Sequence, residues 1–295
     1  LNDINDMQPV IQHFFHPATF TLTYVVSCPT SLECVIIDPV LDFDLSSGKI
    51  GGESAQQMLD YIEHHQLAVL YSLETHAHAD HVTGASYLRK HFGCKVACSE
   101  QIRTIQSEFK SLFNFGEFAD NGHQFDLLLN DKDTLNIGSR TIAVSATPGH
   151  TPDSVTYVIG ENAFIGDTLF MPDSGSARCD FPGGSAAVLY QSIQRIYALG
   201  NQTKLYMCHD YQPNGRALRY QCTVEEQKQD NIQINHQVSE TEYIDKREQR
   251  DAGLSVPRLI YPSLQLNINA GELPCVESNQ QRYLKLPLYA SQQLI

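Results

Sequence analysis

Three histidines and an aspartate fall within six residues: His76, His78, Asp80 and His81 in "HAHADH". Two imidazoles spaced two apart on a loop that leaves a strand can bite one metal ion from the same side. The aspartate and the third histidine follow where the chain turns, and can face a second position. Three more candidates lie far downstream: His150 after "TPG", Asp167 after "AFIG" and His209 after "LYMC". Together they make five imidazoles and two carboxylates. A nitrogen and oxygen donor set without thiolate suits Zn, Fe, Mn or similar ions.

A lone histidine is more often a surface or satisfied core residue than a ligand. That reading applies to His13, His16, His64, His65, His91, His123 and His236. It would also serve for His150, Asp167 or His209 taken singly. What argues against it is position, because all three, like the first cluster, sit where an apolar stretch ends.

Those stretches define the elements that must hold the cluster together. "FTLTYVVS" (20–27) and "ECVIIDP" (33–39) are β-branched, apolar strands around a "CPTSL" turn. "ESAQQMLDYIEHHQ" (53–66) carries Met58, Leu59 and Ile62 at helical spacing, and "LAVLYSLE" (67–74) is a buried-strand pattern running straight into the histidines. The stretch 80–93 reads as a helix stopping at Gly93, 94–99 as a strand and 100–113 as a helix. Residues 140–149 are strand then turn, 154–167 a hairpin, 185–199 an amphipathic helix and 204–210 a strand. From 223 to 251 the chain is polar and helix-prone, and beyond it "RLIYPSLQLNI" and "RYLKLPLY" read as irregular with strand-like pieces. Alternating strands and helices give an α/β class, in which ligands gather at strand ends where loops converge.

Composition narrows the partners. The chain has 295 residues, 42% hydrophobic and 18% charged, as in a globular protein. No run reaches the ~20 apolar residues of a membrane span. The start, "LNDINDMQPV", has neither a secretory nor a transit-peptide layout. A net charge of −14 argues against nucleic acid, and an anionic substrate would need a local basic pocket. Eight scattered cysteines with no CxxC pair read as reduced, buried thiols in a cytoplasmic setting.

"THAHADH", "TPGHT", "GDTLF" and "CHD", in this order, resemble the metallo-β-lactamase superfamily. Within it, "THAHADHVTGA", "GDTLF", "ARCDFPGG" and "HDY" resemble the persulfide dioxygenases, a branch close to glyoxalase II. The similarity runs from about residue 10 to about residue 271. The final two dozen residues resemble extended bacterial members named β-lactamase hydrolase-like proteins.

The resemblance implies an αβ/βα four-layer sandwich with two central mixed sheets and the metal site at one edge. It implies a catalytic core over 1–222 and a C-terminal helical and irregular extension over 223–295 packed on that core. It implies one Fe(II) per chain held by His76, His150 and Asp167, with His78, Asp80, His81 and His209 orienting ligands and waters around it. Glutathione persulfide and O₂ are the implied partners, giving sulfite and glutathione. Arg178 matches the family arginine near the glutathione channel, and Tyr211 a tyrosine that contacts the tripeptide. An ion pair of Arg178 with Asp180 or Asp210 is the competing structural role.

Residues 104–125 look like an insertion relative to shorter members, placed as a candidate lid. Cys179 stands where many members have threonine. The segment "RLIYPSLQLNI" is a candidate contact with a second copy, which would make a homodimer. Because all seven ligand types are present, a Zn(II) or dinuclear thioester hydrolase like glyoxalase II stays open. There His76, His78 and His150 would hold one ion, Asp80, His81 and His209 the other, and Asp167 would bridge.

Overall fold

The computed structural model describes residues 8–289. The leader reading falls partly on residues 1–7, and these, with 290–295, lie outside the described residues.

Two six-stranded mixed sheets face one another. The first contains β1 (Val10–His16), β2 (Thr21–Ser27), β3 (Glu33–Ile37), β6 (Ala68–Leu73), β8 (Lys95–Ser99) and β9 (Leu127–Leu129), in that spatial order. The pairings from β3 to β9 are parallel, and α1 (Gln56–His64) and α2 (Ala85–Phe92) supply crossovers between them. The second sheet runs β10 (Thr134–Ile137), β11 (Arg140–Ala146), β12 (Val155–Ile159), β13 (Asn162–Phe164), β14 (Lys204–Tyr206) and β15 (Gln221–Thr223). Only β13 and β14 pair in parallel there. A small third sheet joins β4 (Val40–Asp44), β5 (Lys49–Gly51) and β7 (Val82–Thr83).

Alternation decides which side chains meet. Leu22, Tyr24 and Val26 on β2 and Val35 and Ile37 on β3 bury against Ile142, Val144, Val155 and Tyr157 of the second sheet. The opposite faces of β2 and β3, through Val25, Cys34 and Ile36, take Met58, Leu59 and Ile62 of α1 and Leu88 of α2. On the other side α4 (Ala186–Tyr197) joins the main core through Leu189, Ile193 and Ile196, with α5 (Val224–Asp230) and α6 (Glu240–Asp251) against it. These four layers form the αβ/βα sandwich.

Two expectations need correction. Residues 80–93 are not one helix, because Val82 and Thr83 pair with Leu41 and Val40 and the Gly84 amide donates to Pro39 O at 2.8 Å. The β-branched pair goes into a strand, and helix α2 starts only at Ala85. The segment 258–268 is not strand-like either, since it contains α7 (Ile260–Asn267). Pro262 falls in the first turn of that helix, where an amide has no helical acceptor to lose. Residues 262–267 are all buried, α7 contacting α3 (Ile102–Phe113) and β7, while Ile260 and Tyr261 are partly exposed.

Helix α3 carries residues 104–113 of the stretch singled out as a lid. Ile105, Phe109 and Phe113 pack with Val96, Cys98 and Leu264, and none of residues 104–125 lines the cavity beside the metal-ligand cluster.

Past α7 the chain is fastened to α2 by Glu272, whose carboxylate takes Lys90 Nζ at 2.6 Å and Arg89 Nη2 at 3.0 Å. Burial pushes this carboxyl up, but hydrogen bonds from Lys90, Ser86 and Arg89 overcome it and pull it down to about 2. A depressed folded-state value means stability present above the unfolded value near 4.5 and lost as pH falls toward about 2. We expect Glu272→Gln to lower the unfolding free energy from urea titration at pH 7 by about 1 kcal/mol, a figure reduced for solvent screening of the half-buried carboxylate. The gap from wild type should shrink as the pH of the titration falls below 4.5.

Candidate metal centre

Four strand ends bring the ligands together. The 74–81 loop leaves β6, His150 follows β11, Asp167 follows β13 and His209 follows β14. His76, His150 and Asp167 each offer a donor atom, and all three lie within 4.8 Å of one another, buried. His76 and His150 have ring centroids 5.1 Å apart, and His150 Nε2 is 3.8 Å from Asp167 Oδ2. His78, Asp80 and His81 form a second such group. His209 Nε2 stands between Asp80 Oδ2 at 3.1 Å and Asp167 Oδ1 at 3.4 Å.

Outer contacts fix which atom of each ring faces the centre. Thr75 Oγ1 donates its one proton to Asp38 Oδ2 at 2.9 Å, so it accepts from His76 Nδ1 at 3.1 Å. The His76 Nε2 lone pair is left facing inward. His150 Nδ1 donates to the Arg178 carbonyl at 2.7 Å and His78 Nε2 to Asp38 Oδ1 at 3.0 Å. The ligating tautomers are therefore set by the protein.

Five atoms then remain buried without a hydrogen-bond partner: His76 Nε2, His78 Nδ1, His81 Nε2, Asp167 Oδ1 and His209 Nε2. Buried polar atoms are normally satisfied. These unsatisfied atoms belong to neighbouring groups, His76–His150–Asp167, His78–Asp80–His81 and Asp167–Cys208–His209, each of which could hold a metal ion. Burial, with His78 and His150 beside it, holds His76 well below the usual histidine range, in the neutral form that binds metal. Burial likewise raises Asp167, against the pull of His209 and His150, so its negative charge lacks compensation. For Asp80 burial works in the same direction, but His209 and His81 override it and keep the carboxyl well below its ordinary value.

Backbone shape matters at two glycines. Gly149 has φ +134°, and a Cβ there would overlap the backbone N and Cα of Leu189 on α4. Gly166 has φ +52°, and a Cβ would meet Thr75 Oγ1 at 2.7 Å. Each glycine lets a ligand loop lie directly on its neighbour.

All seven ligand candidates converge. Arg178 and Tyr211 also line the adjoining cavity of about 540 Å³. Tyr211 lies nearly parallel to His209, at 7° and 5.6 Å between centroids. Arg178 is less free than its sequence role requires, since Nε and Nη2 each reach Asp180 at 2.6 Å and Nη1 reaches Ser255 O at 2.8 Å. Cys179 is buried in the core, its thiol pushed up to about 12 by burial and by Asp251, and it does not line the cavity.

Sequence reasoning passed over several supports. Asp38 holds both Thr75 and His78, and it follows β3 as the ligands follow their own strands, so the same signal marked it. Asp153 Oδ2 accepts the Ala77 amide at 2.8 Å. Asn267 had no local signal. Its Nδ2 donates to His78 O at 2.7 Å and His81 O at 2.8 Å, and its Oδ1 accepts from Thr83 N at 2.9 Å. One side chain at the end of α7 thus binds the metal-ligand loop across almost two hundred residues. Asn267→Ala would leave two carbonyls and an amide unsatisfied in a buried place. We expect a loss of about 2–4 kcal/mol, read as a drop of several degrees in Tm by calorimetry.

Two sheets backed by helices, with a histidine and aspartate cluster at one sandwich edge, define a metal-dependent enzyme fold. Residues 16–209 match the metallo-beta-lactamase superfamily, and the chain belongs to that superfamily. It is 46% identical to a probable metallo-hydrolase of Burkholderia pseudomallei over 95% of this chain and 99% of that one. It is also 46% identical to a beta-lactamase hydrolase-like protein of Agrobacterium fabrum over 95% of this chain, but spans only 65% of that protein's length. The human mitochondrial persulfide dioxygenase ETHE1 is 33% identical over 68% of each chain. Among solved structures, ETHE1 from Myxococcus xanthus superposes with a TM-score of 0.72 at 27% identity, covering 89% of this chain and all of that one. Among the described residues no helix is long and apolar enough to cross a membrane.

Proposed function

We propose that the chain is a glutathione-dependent persulfide dioxygenase working at a single Fe(II). The overall reaction is GSSH + O₂ + H₂O → GSH + SO₃²⁻ + 2H⁺. The terminal sulfur is oxidised, O₂ is reduced, and the S–S bond breaks with the thiol leaving. The observation that carries this reading is the mutual approach of His76, His150 and Asp167 within 4.8 Å, two imidazoles and one carboxylate. Such a set leaves positions open for exchangeable partners. Its likeness to the human and Myxococcus xanthus proteins supports the choice of substrate.

When bound, Fe(II) supplies a redox-active centre with affinity for both a soft sulfur anion and O₂. The chain does the rest. Thr75 and the Arg178 carbonyl aim His76 and His150. Phe181 lies edge-on against His150 at 5.1 Å, and Phe170 at 6.2 Å and Tyr211 lie beside His209, so aromatic rings form part of the wall of the reacting region. His209 Nε2, between the Asp80 and Asp167 carboxylates, is positioned to hold a proton that the reaction releases. The cavity of about 540 Å³ beside His150 and Asp167 is of a size to take a tripeptide persulfide.

A second reading has its own support. His78 Nδ1, His81 Nε2 and His209 Nε2 are also unsatisfied, and the Burkholderia pseudomallei relative is named a metallo-hydrolase. On that reading the chain is a dinuclear thioester hydrolase. The two separate on one bench. Protein loaded anaerobically with Fe(II) or with Zn(II) is given glutathione persulfide at an oxygen electrode and, in parallel, an acylglutathione thioester. Oxygen uptake with iron alone supports the dioxygenase. Zinc-dependent thioester cleavage without uptake would replace it with the hydrolase.

A further inference from the structure

The cavity beside His150 and Asp167 has three arginines in its wall, Arg178, Arg247 and Arg250. Two are already engaged. Arg178 grips Asp180 with two nitrogens and Ser255 O with a third. Arg247 is buried, binding Asp251 through Nε and Nη2 and Ser176 O and Gln233 through Nη1. Arg250, exposed in the last turn of α6, has no ion pair or hydrogen bond to its guanidinium among the described residues. Lys246 stands one turn earlier on α6, and it shares with Arg247 and Arg250 a smaller cavity of about 240 Å³.

The acidic groups of the main cavity wall are all committed. Asp80 and Asp167 belong to the metal cluster, and Asp173 is paired with Arg216. The uncommitted charge in that wall is therefore positive. A chain of net charge −14 repels anions at long range, so an anionic substrate needs such a group at the site itself. A guanidinium fork matches a carboxylate in shape as well as in charge.

We propose that Arg250 is the residue that recognises a carboxylate of the persulfide's organic half, and so selects acidic thiols such as glutathione over neutral ones. The proposal rests on the dioxygenase reading for its substrate. Arg250 lies beyond residue 209, where the superfamily match ends, so this selection belongs to the C-terminal part of the chain.

The test uses the metal-loaded full chain and S-methylglutathione, which has both carboxylates but cannot turn over. Wild type, Arg250→Lys and Arg250→Gln are compared by calorimetry, with metal content and circular dichroism reporting intact folding. Loss of one charged hydrogen-bonded contact predicts a Kd about tenfold or more higher in Arg250→Gln, with Arg250→Lys between. In turnover, the preference for glutathione persulfide over 2-hydroxyethyl persulfide should fall by the same factor, through KM rather than kcat. Equal affinity in wild type and Arg250→Gln would overturn the proposal, as would a wild type that does not bind S-methylglutathione. An iron-loaded wild type without oxygen uptake would remove the dioxygenase reading while leaving the calorimetric comparison to decide on Arg250.

Discussion

His150→Ala, reconstituted anaerobically and desalted, is expected to keep less than about a tenth of the iron of wild type, and its oxygen uptake should fall by about a thousandfold or more. Altering even the partners of ligands typically costs ten- to a hundredfold in affinity, and here a ligand itself is removed from a set of three. The reason lies in how the ring is held. Its Nδ1 is committed to the Arg178 carbonyl, so only Nε2, 3.8 Å from Asp167 Oδ2, faces the centre. Neither His76, held by Thr75, nor His78, held by Asp38, can swing across to replace it. Metal analysis and the oxygen electrode read the two effects separately. Full iron content in the variant would remove His150 from the ligand set.

Gly149→Ala should be severely damaging for a single added methyl. Two costs coincide there. The backbone sits at φ +134°, a conformation open essentially to glycine, and the new Cβ would overlap Leu189 N and Cα in the first turn of α4. Backbone atoms of a packed helix cannot move aside as a flexible side chain can. We expect a loss of about 3–5 kcal/mol in urea unfolding, together with weaker iron binding as the "TPGH" turn is pushed away from the site. Gly48→Ala is the matched control, since it too has positive φ, at +69°, but nothing lies within 4 Å of its added Cβ. It should cost only about 1 kcal/mol. If the two variants lost equal stability, backbone conformation alone would explain both and the close approach to α4 would count for nothing.

The ligands were legible in the sequence because each follows a strand, and strands are strongly marked by apolar, β-branched runs. "VII" before Asp38 carries the same mark. Asp38 escaped notice only because it has no histidine beside it. Elements whose form depends on distant partners were harder to see. Val82 and Thr83 become a strand through pairing with β4, and nothing between 80 and 93 announces that partner. α7 is a helix because Leu264 and Ile268, at its end, bury in one cluster with residues of α3 and β8, while its proline and mixed apolar content suggest irregular chain. Asn267 is the clearest case. Its importance comes entirely from the two carbonyls it meets in the 74–81 loop. Arg178 shows the converse. Its place at the cavity and a pairing with Asp180 or Asp210 were both readable, whereas the choice of Asp180, gripped through Nε and Nη2, appears only in the folded chain.

Counting metal ions at equilibrium tests the centre most directly. Metal-free protein titrated anaerobically with Fe(II), followed by a change in an optical or magnetic signal of the bound ion, should show one break at a single equivalent per chain. The same titration of Asp167→Ala should show none. Two equal breaks in wild type, the second lost on replacing His81 or His209, would mean a paired-ion centre and would contradict the single site built on His76, His150 and Asp167.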